Sequence, residues 1–421
     1  MISLELHYFL SSTRLDAYKV VVQPSLPFIF NTQYSPTHHT EFHRAMSPYT
    51  YINASCHCEL NTFRVAFPTE SLPISSDLCH CDTCRHSSGQ LVVYHVNIHG
   101  RPLELHSDDP IDLSDMTQYK SGPHTTRYFC PICSAHLLWE NKEKEDAPYY
   151  CVAAGSLERV DGIVNVDYHI FVEDTKDGGL SEHLKTDAEG KELARYAKAK
   201  DSETLPLGWN VLEQTAKPPS DDEKLHAYCA CKAIQFSITR PNEDSSLPYA
   251  AYPDLLKPYD VTHLSKVHNS DNEKWWLRPV HAEKPTKYLA GHCACRSCRL
   301  TSGFPIQSWA FVPRTNLIDP HTGTSVELDD GNRLKGLKQY ISSPGRYREF
   351  CPTCGATVFW WNVSRPDIID VSVGLVDQEK EGARAERWLD WHKERVSFEE
   401  MALARQTIQA LEEGLKASAT P

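Results

Sequence analysis

Fourteen of the chain's fifteen cysteines fall into one pattern used twice, C-x-C … C-x-C-x-x-C … C-x-x-C. The first copy is Cys56 and Cys58, then Cys79, Cys81 and Cys84, then Cys130 and Cys133. The second is Cys229 and Cys231, then Cys293, Cys295 and Cys298, then Cys351 and Cys354. Only Cys151 stands outside the pattern, and it reads as a buried, inert thiol. The N-terminus lacks a basic segment followed by a continuous apolar run, so a secretory signal is not expected. Disulfides are then disfavoured, and clustered cysteines read as metal ligands.

The flanks repeat with the cysteines. QYKSGPHTTRYFCPICSAHLLW matches QYISSPGRYREFCPTCGATVFWW, and HCDTCRHSSG matches ACRSCRLTSG. VAAGSLE at residues 152–158 resembles VSVGLVD at 371–377. Two diverged copies of one unit explain this better than a single large domain. The expected organisation is an N-terminal extension over 1–48, a first domain over 49–180, a linker over 181–222, a second domain over 223–400 and a C-terminal helix and tail over 401–421. The extension reads as an added strand or loose segment rather than a mitochondrial presequence, because Glu5 and Asp16 interrupt any basic amphipathic helix. The linker is polar and charged, with a short helical run near KELARYAKAK. The second copy carries an insert over about 241–290, rich in Pro, Asp, Asn and Tyr, which reads as a surface loop. Its Trp275 and Trp276 are expected to pack back onto the domain.

Around the cysteines the sequence favours strands. LVVYHVNI, SWAFVP, YYCVAAG and IIDVSVG are β-branched or aromatic runs of strand length. The fold class is therefore mainly β, with small antiparallel sheets pinned by metal. At the C-terminus, Ser397 and Glu400 spell a capping box. Met401, Ala404, Ile408, Leu411 and Leu415 then share one helical face. That face is expected to dock on the second unit, with a homodimer contact as the alternative.

Zinc favours tetrahedral thiolate sets, and structural sites are closed by four protein ligands. A C-x-C pair with a distant C-x-x-C pair supplies four: Cys56, Cys58, Cys130 and Cys133, then Cys229, Cys231, Cys351 and Cys354. Such sites contribute roughly 10–16 kcal/mol of apparent free energy in small peptides. The middle group offers only three sulfurs, from Cys79, Cys81 and Cys84 or from Cys293, Cys295 and Cys298. Three protein ligands leave a position for water or substrate, which is how catalytic zinc is built. The other reading closes the shell with a nearby histidine, and His57, His80 and His292 are the candidates by proximity. Up to four zinc ions, two per copy, are expected. Thiolate-rich sites also need cations nearby. Arg85, Arg296 and Arg299 lie next to the three-cysteine groups, and could offset sulfur charge or grip a substrate carboxylate.

These motifs resemble the family of the glutathione-dependent formaldehyde-activating enzyme and centromere protein V. The resemblance rests on ASCHC, CHCDTCRHSSG and YFCPICSAHL in the first copy, and on AYCAC, CACRSCRLTSGF and REFCPTCGATVFW in the second. KWWLRP, KYLAGHCACRSCR and SPGRYREFCPTCGATVFWW look like the tandem-domain fungal branch. The resemblance implies two tandem β-tent domains, each with a four-cysteine structural zinc and a three-cysteine zinc beside a glutathione site. It implies a carbon–sulfur lyase that joins a small thiol such as glutathione to formaldehyde, giving S-hydroxymethylglutathione. One departure stands out: Ser134 occupies the place of Gly355, where positive φ suits a knuckle turn, so the second copy looks closer to the family.

The alternative is a non-catalytic zinc scaffold for protein–protein interaction, since fold does not fix function. A formal charge of −13 disfavours nucleic acid as a partner. No run approaches the length of a membrane helix. The expected location is the cytoplasm, with the nucleus as the alternative.

Overall fold

A computed structural model describes residues 47–143, 148–212, 220, 222–258 and 267–419. Apart from residues 47 and 48, the expected N-terminal extension lies outside the described residues. Ser47–Pro421 forms one compact unit.

The two cysteine repeats build the same elements in the same order. Each opens with an antiparallel hairpin, Tyr49–Ser55 with Thr62–Pro68 in the first and Lys224–Tyr228 with Gln235–Thr239 in the second. Alternation dictates these strands: Phe63, Val65 and Phe67 point inward, as do Phe236 and Ile238. Each repeat then forms a larger sheet that ends in the C-x-x-C knuckle. In the first the strand order is His95–Asn97, Tyr149–Ala153, His136–Asn141, Thr125–Phe129 and Thr117–Lys120. In the second, Gln307–Pro313, Ile368–Ser372, Thr357–Asn362, Arg346–Phe350 and Lys338–Ser343 repeat that order. Every residue of Gln307–Pro313 is buried, which suits an apolar run covered on both faces.

The three-cysteine groups lie where a strand meets a short helix. Ile74–Cys79 leads into α1, Asp82–Ser88, and Lys287–Cys293 leads into α2, Arg296–Ser302. Both helices end on a left-handed glycine, Gly89 at φ 78° and Gly303 at φ 84°. These glycines also meet the opposite repeat. A Cβ on Gly89 would lie 2.1 Å from the Thr357 carbonyl oxygen, and one on Gly303 2.0 Å from that of His136. No other residue fits either position.

The repeats share one core and interlock about these helices. Gly155 N donates to Gly303 O at 2.9 Å, and Gly374 N to Gly89 O at 3.2 Å. Between them Gln90 Nε2 donates to Gln307 Oε1 at 2.7 Å. The C-x-C turns cross over in the same way: His57 N donates to Leu300 O at 3.2 Å, and Ala230 N to His86 O at 2.8 Å. Each four-cysteine knuckle therefore braces the helix that carries the other repeat's three-cysteine group.

The described part of segment 181–222 is built into this body. Leu184 and Leu193 are buried, and His183 Nδ1 lies 3.0 Å from His292 Nε2. In the insert, Trp275 and Trp276 pack into the core as expected, at 1% and 0% exposure. The C-terminal helix, α3, runs Arg405–Ala417 with Ile408, Leu411 and Leu415 buried. It starts later than the sequence suggests, and the Ser397–Glu400 capping box does not form. Ser397 is instead drawn alongside Cys293: its N–H donates to His292 O at 2.9 Å, and its carbonyl accepts from Ala294 N at 2.9 Å. Beyond α3, Ser418 Oγ accepts from Lys185 Nζ at 2.7 Å, so the chain end is tied to the inter-repeat segment as well as to the second repeat.

Candidate metal centres

In the first four-cysteine group, Cys58 Sγ lies 3.5 Å from Cys56 Sγ and 3.5 Å from Cys130 Sγ. In the second, Cys231 Sγ lies 3.5 Å from Cys229 Sγ and 3.5 Å from Cys351 Sγ. Cys133 and Cys354 complete the sets, and all sulfurs of a set lie within 4.8 Å of one another. Backbone N–H groups face the sulfurs, with Asn61 N at 3.5 Å from Cys56 Sγ, Ile132 N at 3.4 Å from Cys130 Sγ and Ile234 N at 3.4 Å from Cys229 Sγ. Ser134 adopts φ 65° where Gly355 adopts 80°, so both knuckles take the positive-φ turn. Ser134 turns its hydroxyl to Thr301 O in the other repeat, at 3.3 Å.

The three-cysteine groups use a different local geometry. Cys81 and Cys295 are the N-caps of α1 and α2, and accept from Cys84 N at 3.4 Å and Cys298 N at 3.3 Å. The preceding strand delivers Cys79 or Cys293 to the same spot, and the three sulfurs lie within 4.8 Å of one another. A buried arginine supplies the cation. Arg127 Nη2 lies 3.2 Å from Cys84 Sγ, and Arg348 Nη2 lies 3.5 Å from Cys298 Sγ. The Cys84 thiol is held well below the usual range by hydrogen bonds from Cys79 and Cys81 and by the Arg127 charge. Cys298 is lowered in the same way by Cys293, Cys295 and Arg348. All four clusters thus suit a thiophilic cation: convergent sulfurs, donors aimed at sulfur, and a guanidinium beside each smaller set.

Among the described residues no His, Cys, Asp or Glu joins either three-sulfur group within that distance. The candidate histidines are engaged elsewhere. His80 Nε2 lies 2.9 Å from His169 Nδ1, and His292 lies between His183 and Ser308 Oγ. His57 lies 3.2 Å from Ser297 Oγ and 2.8 Å from Tyr340 Oη. It crosses from the first repeat to the second, where Ser297 also accepts from Arg348 Nη2 at 3.1 Å.

Each three-sulfur group opens on a cavity of about 710 Å³. Of the three arginines marked by the sequence, only Arg296 lines a cavity, that of the second repeat. Arg85 and Arg299 bond elsewhere. Arg85 bonds His80 O at 3.0 Å and Asp82 Oδ1 at 2.5 Å. Arg299 donates across the repeat boundary to Gly155 O and Leu157 O. The helix carries the residue after the third cysteine of each set away from the cavity, whereas Arg296, after the second cysteine, stays beside it. Arg127 and Arg348 were missed, although both repeats place an arginine three residues before the C-x-x-C.

Also missed was a carboxyl in the second cavity. Asp370 is buried, and its Oδ1 accepts from Arg365 Nη2 at 2.7 Å; Arg365 Nε reaches Asp254 Oδ2, also at 2.7 Å. Burial pushes the Asp370 carboxyl up to about 7, against the pull of Arg365. The equivalent position in the first repeat is Cys151, whose thiol donates to Asn97 Oδ1 at 2.9 Å and is pushed up by burial. It belongs to none of the four clusters.

A family model described as glutathione-dependent formaldehyde-activating enzyme matches residues 51–174 and 280–391. No curated protein and no solved structure matches the chain.

Proposed function

The chain belongs to the glutathione-dependent formaldehyde-activating enzyme family, and from that premise we propose that it is a zinc-dependent carbon–sulfur lyase. Its reaction joins a small thiol such as glutathione to formaldehyde or a similar aldehyde. The observation that carries this reading is the three-sulfur group opening on a large cavity with no fourth protein donor among the described residues. A scaffold needs neither feature.

Cys293, Cys295 and Cys298, and in the first repeat Cys79, Cys81 and Cys84, would hold the zinc ions that face substrate. The other eight cysteines would hold structural zinc. When bound, zinc favours the thiolate form of a substrate thiol and polarises a carbonyl oxygen. The chain's own residues do the rest. Arg348 fixes the position of the Cys298 sulfur, and Arg296, which lines the cavity, offers its guanidinium to a carboxylate on the thiol. Asp370 handles the proton. In the addition a C–S bond forms, the carbonyl π bond opens, the thiol loses its proton and the oxygen gains one. Asp370 takes the proton from the entering thiol and then gives it to that oxygen, so the carboxylate is regenerated in each turnover. The reducing cytoplasm is the proposed location, because free thiolate clusters require it.

The test is calorimetry of zinc-loaded protein with glutathione and other thiols, followed by an aldehyde-addition assay. Thiol binding with adduct formation is expected, and Cys295→Ser should abolish the second repeat's share while the thermal transition is kept. Absence of thiol binding would remove the enzyme reading, and collapse of the Cys295→Ser fold would make that site structural.

A further inference from the structure

The two cavities are equal in size but differ in charge, the second carrying an excess of arginine and the first none. Four arginines, Arg296, Arg346, Arg348 and Arg365, line the second against two aspartates, Asp254 and Asp370. Arg365 holds both aspartates, and Arg348 is turned to Cys298. Arg296 and Arg346 are therefore left at the mouth, exposed and without an ion pair among the described residues. The charged side chains lining the first cavity are one arginine, Arg127, turned to Cys84, and one aspartate, Asp77.

Equivalent positions show how the difference arises. Cys81-Asp82-Thr83-Cys84 stands where the second repeat has Cys295-Arg296-Ser297-Cys298, so Asp82 replaces Arg296. Asp82 is spent on Arg85. Thr125 pairs with Asn141 as Arg346 pairs with Asn362, so Thr125 replaces Arg346. Asp77 lies two residues before Cys79, where the second repeat has Gly291 before Cys293. A Cβ on Gly291 would lie 2.3 Å from the Leu255 side chain, so Leu255 of the insert occupies the space that Asp77 uses in the first repeat. Three substitutions at matched places all make the first cavity less positive. His57, which backs the second cavity, has Ala230 as its counterpart.

We propose that the cavities have diverged in substrate charge: the second takes a thiol bearing a carboxylate, and the first takes a thiol without one. This rests on the thiol reading above and extends it to two specificities in one chain. A carboxylate entering the second cavity meets two guanidinium groups that have no ion pair among the described residues. Entering the first, it meets Asp77 and no free cation among the described residues.

The experiment is titration calorimetry of the full zinc-loaded chain with 3-mercaptopropionate and with 2-mercaptoethanol. The uncharged thiol is expected to fill two sites per chain, and the anionic thiol one. The double variant Arg296→Asp/Arg346→Thr places the first cavity's residues in the second. It should weaken 3-mercaptopropionate about tenfold and leave 2-mercaptoethanol unchanged. The milder Arg296→Lys should keep most of the anionic affinity. Two equal sites for the anionic thiol would overturn the proposal. So would a double variant that weakens both thiols alike, or neither. If neither thiol binds the unaltered chain, the thiol reading itself falls and this proposal falls with it.

Discussion

Replacing Arg348 with methionine should loosen one metal site and leave the other three unchanged. The guanidinium is buried, and its Nη2 lies 3.5 Å from Cys298 Sγ. At that separation a full charge pair is worth about 5 kcal/mol at an effective dielectric of about 20. Much of this is offset by the cost of burying both groups. Arg348 Nε and Nη1 have no hydrogen-bond partner among the described residues, so that cost is only partly recovered. The balance corresponds to the 10- to 100-fold loss typical when a residue supporting a metal ligand is removed, or about 1.4–2.8 kcal/mol. Methionine fills a similar volume without the charge. The assay is competition with a chromophoric chelator, which resolves the metals by affinity. Arg348→Met should move one zinc of four into the weaker class, and Arg127→Met should do the same for the first repeat. If either substitution weakens a four-cysteine site, or weakens none, the assignment of these arginines is wrong.

Three further outcomes follow from the same geometry. Gly303→Ala places a Cβ at positive φ and 2.0 Å from the His136 carbonyl, so it should cost about 2–5 kcal/mol in denaturant unfolding from strain and overpacking; a cost below about 1 kcal/mol would mean the repeats can slide apart there. His57→Ala removes the contacts to Ser297 and Tyr340; it should cost about 1–2 kcal/mol, and thiol affinity should change in the second cavity only, a pattern that an equal change in both would contradict. Asp370 binds its proton more tightly folded than unfolded, about 7 against 3.8, so stability should fall as pH rises from about 4 to about 7. Asp370→Asn should flatten that slope in thermal unfolding series, and an unchanged slope would place the titration elsewhere.

The cysteine sets were legible because metal ligands are fixed by spacing within tight turns, and four groups of sulfurs converge along the lines the spacing drew. Arginine roles were not legible from proximity. Arg85 and Arg299 follow a ligand in sequence, yet a short helix turns Arg85 back onto His80 and Asp82 and Arg299 onto the repeat boundary. Arg127 and Arg348 reach the sulfurs from strands far along the chain, so only the folded sheets bring them in. The segment 181–222 looks like a tether by composition, but in its described part Leu184 and Leu193 lie among core residues supplied by both repeats. The start of α3 was misplaced because Ser397 satisfies the strand that carries Cys293, and that pairing outcompetes a local cap. Asp370 escaped notice because a single aspartate in IIDVSVG carries no motif; its neighbours Arg365 and Asp254 come from separate segments.

The central claim is that fourteen cysteines form two closed and two open metal shells. Zinc X-ray absorption on protein loaded to four equivalents, in buffer free of thiols, tests it most directly. The expected spectrum averages about three and a half sulfurs near 2.3 Å per zinc, with one light oxygen or nitrogen donor at every second zinc. Addition of a small thiol should raise the sulfur count towards four. A shell of four sulfurs throughout before any thiol is added, or histidine scattering at the open sites, would contradict the account.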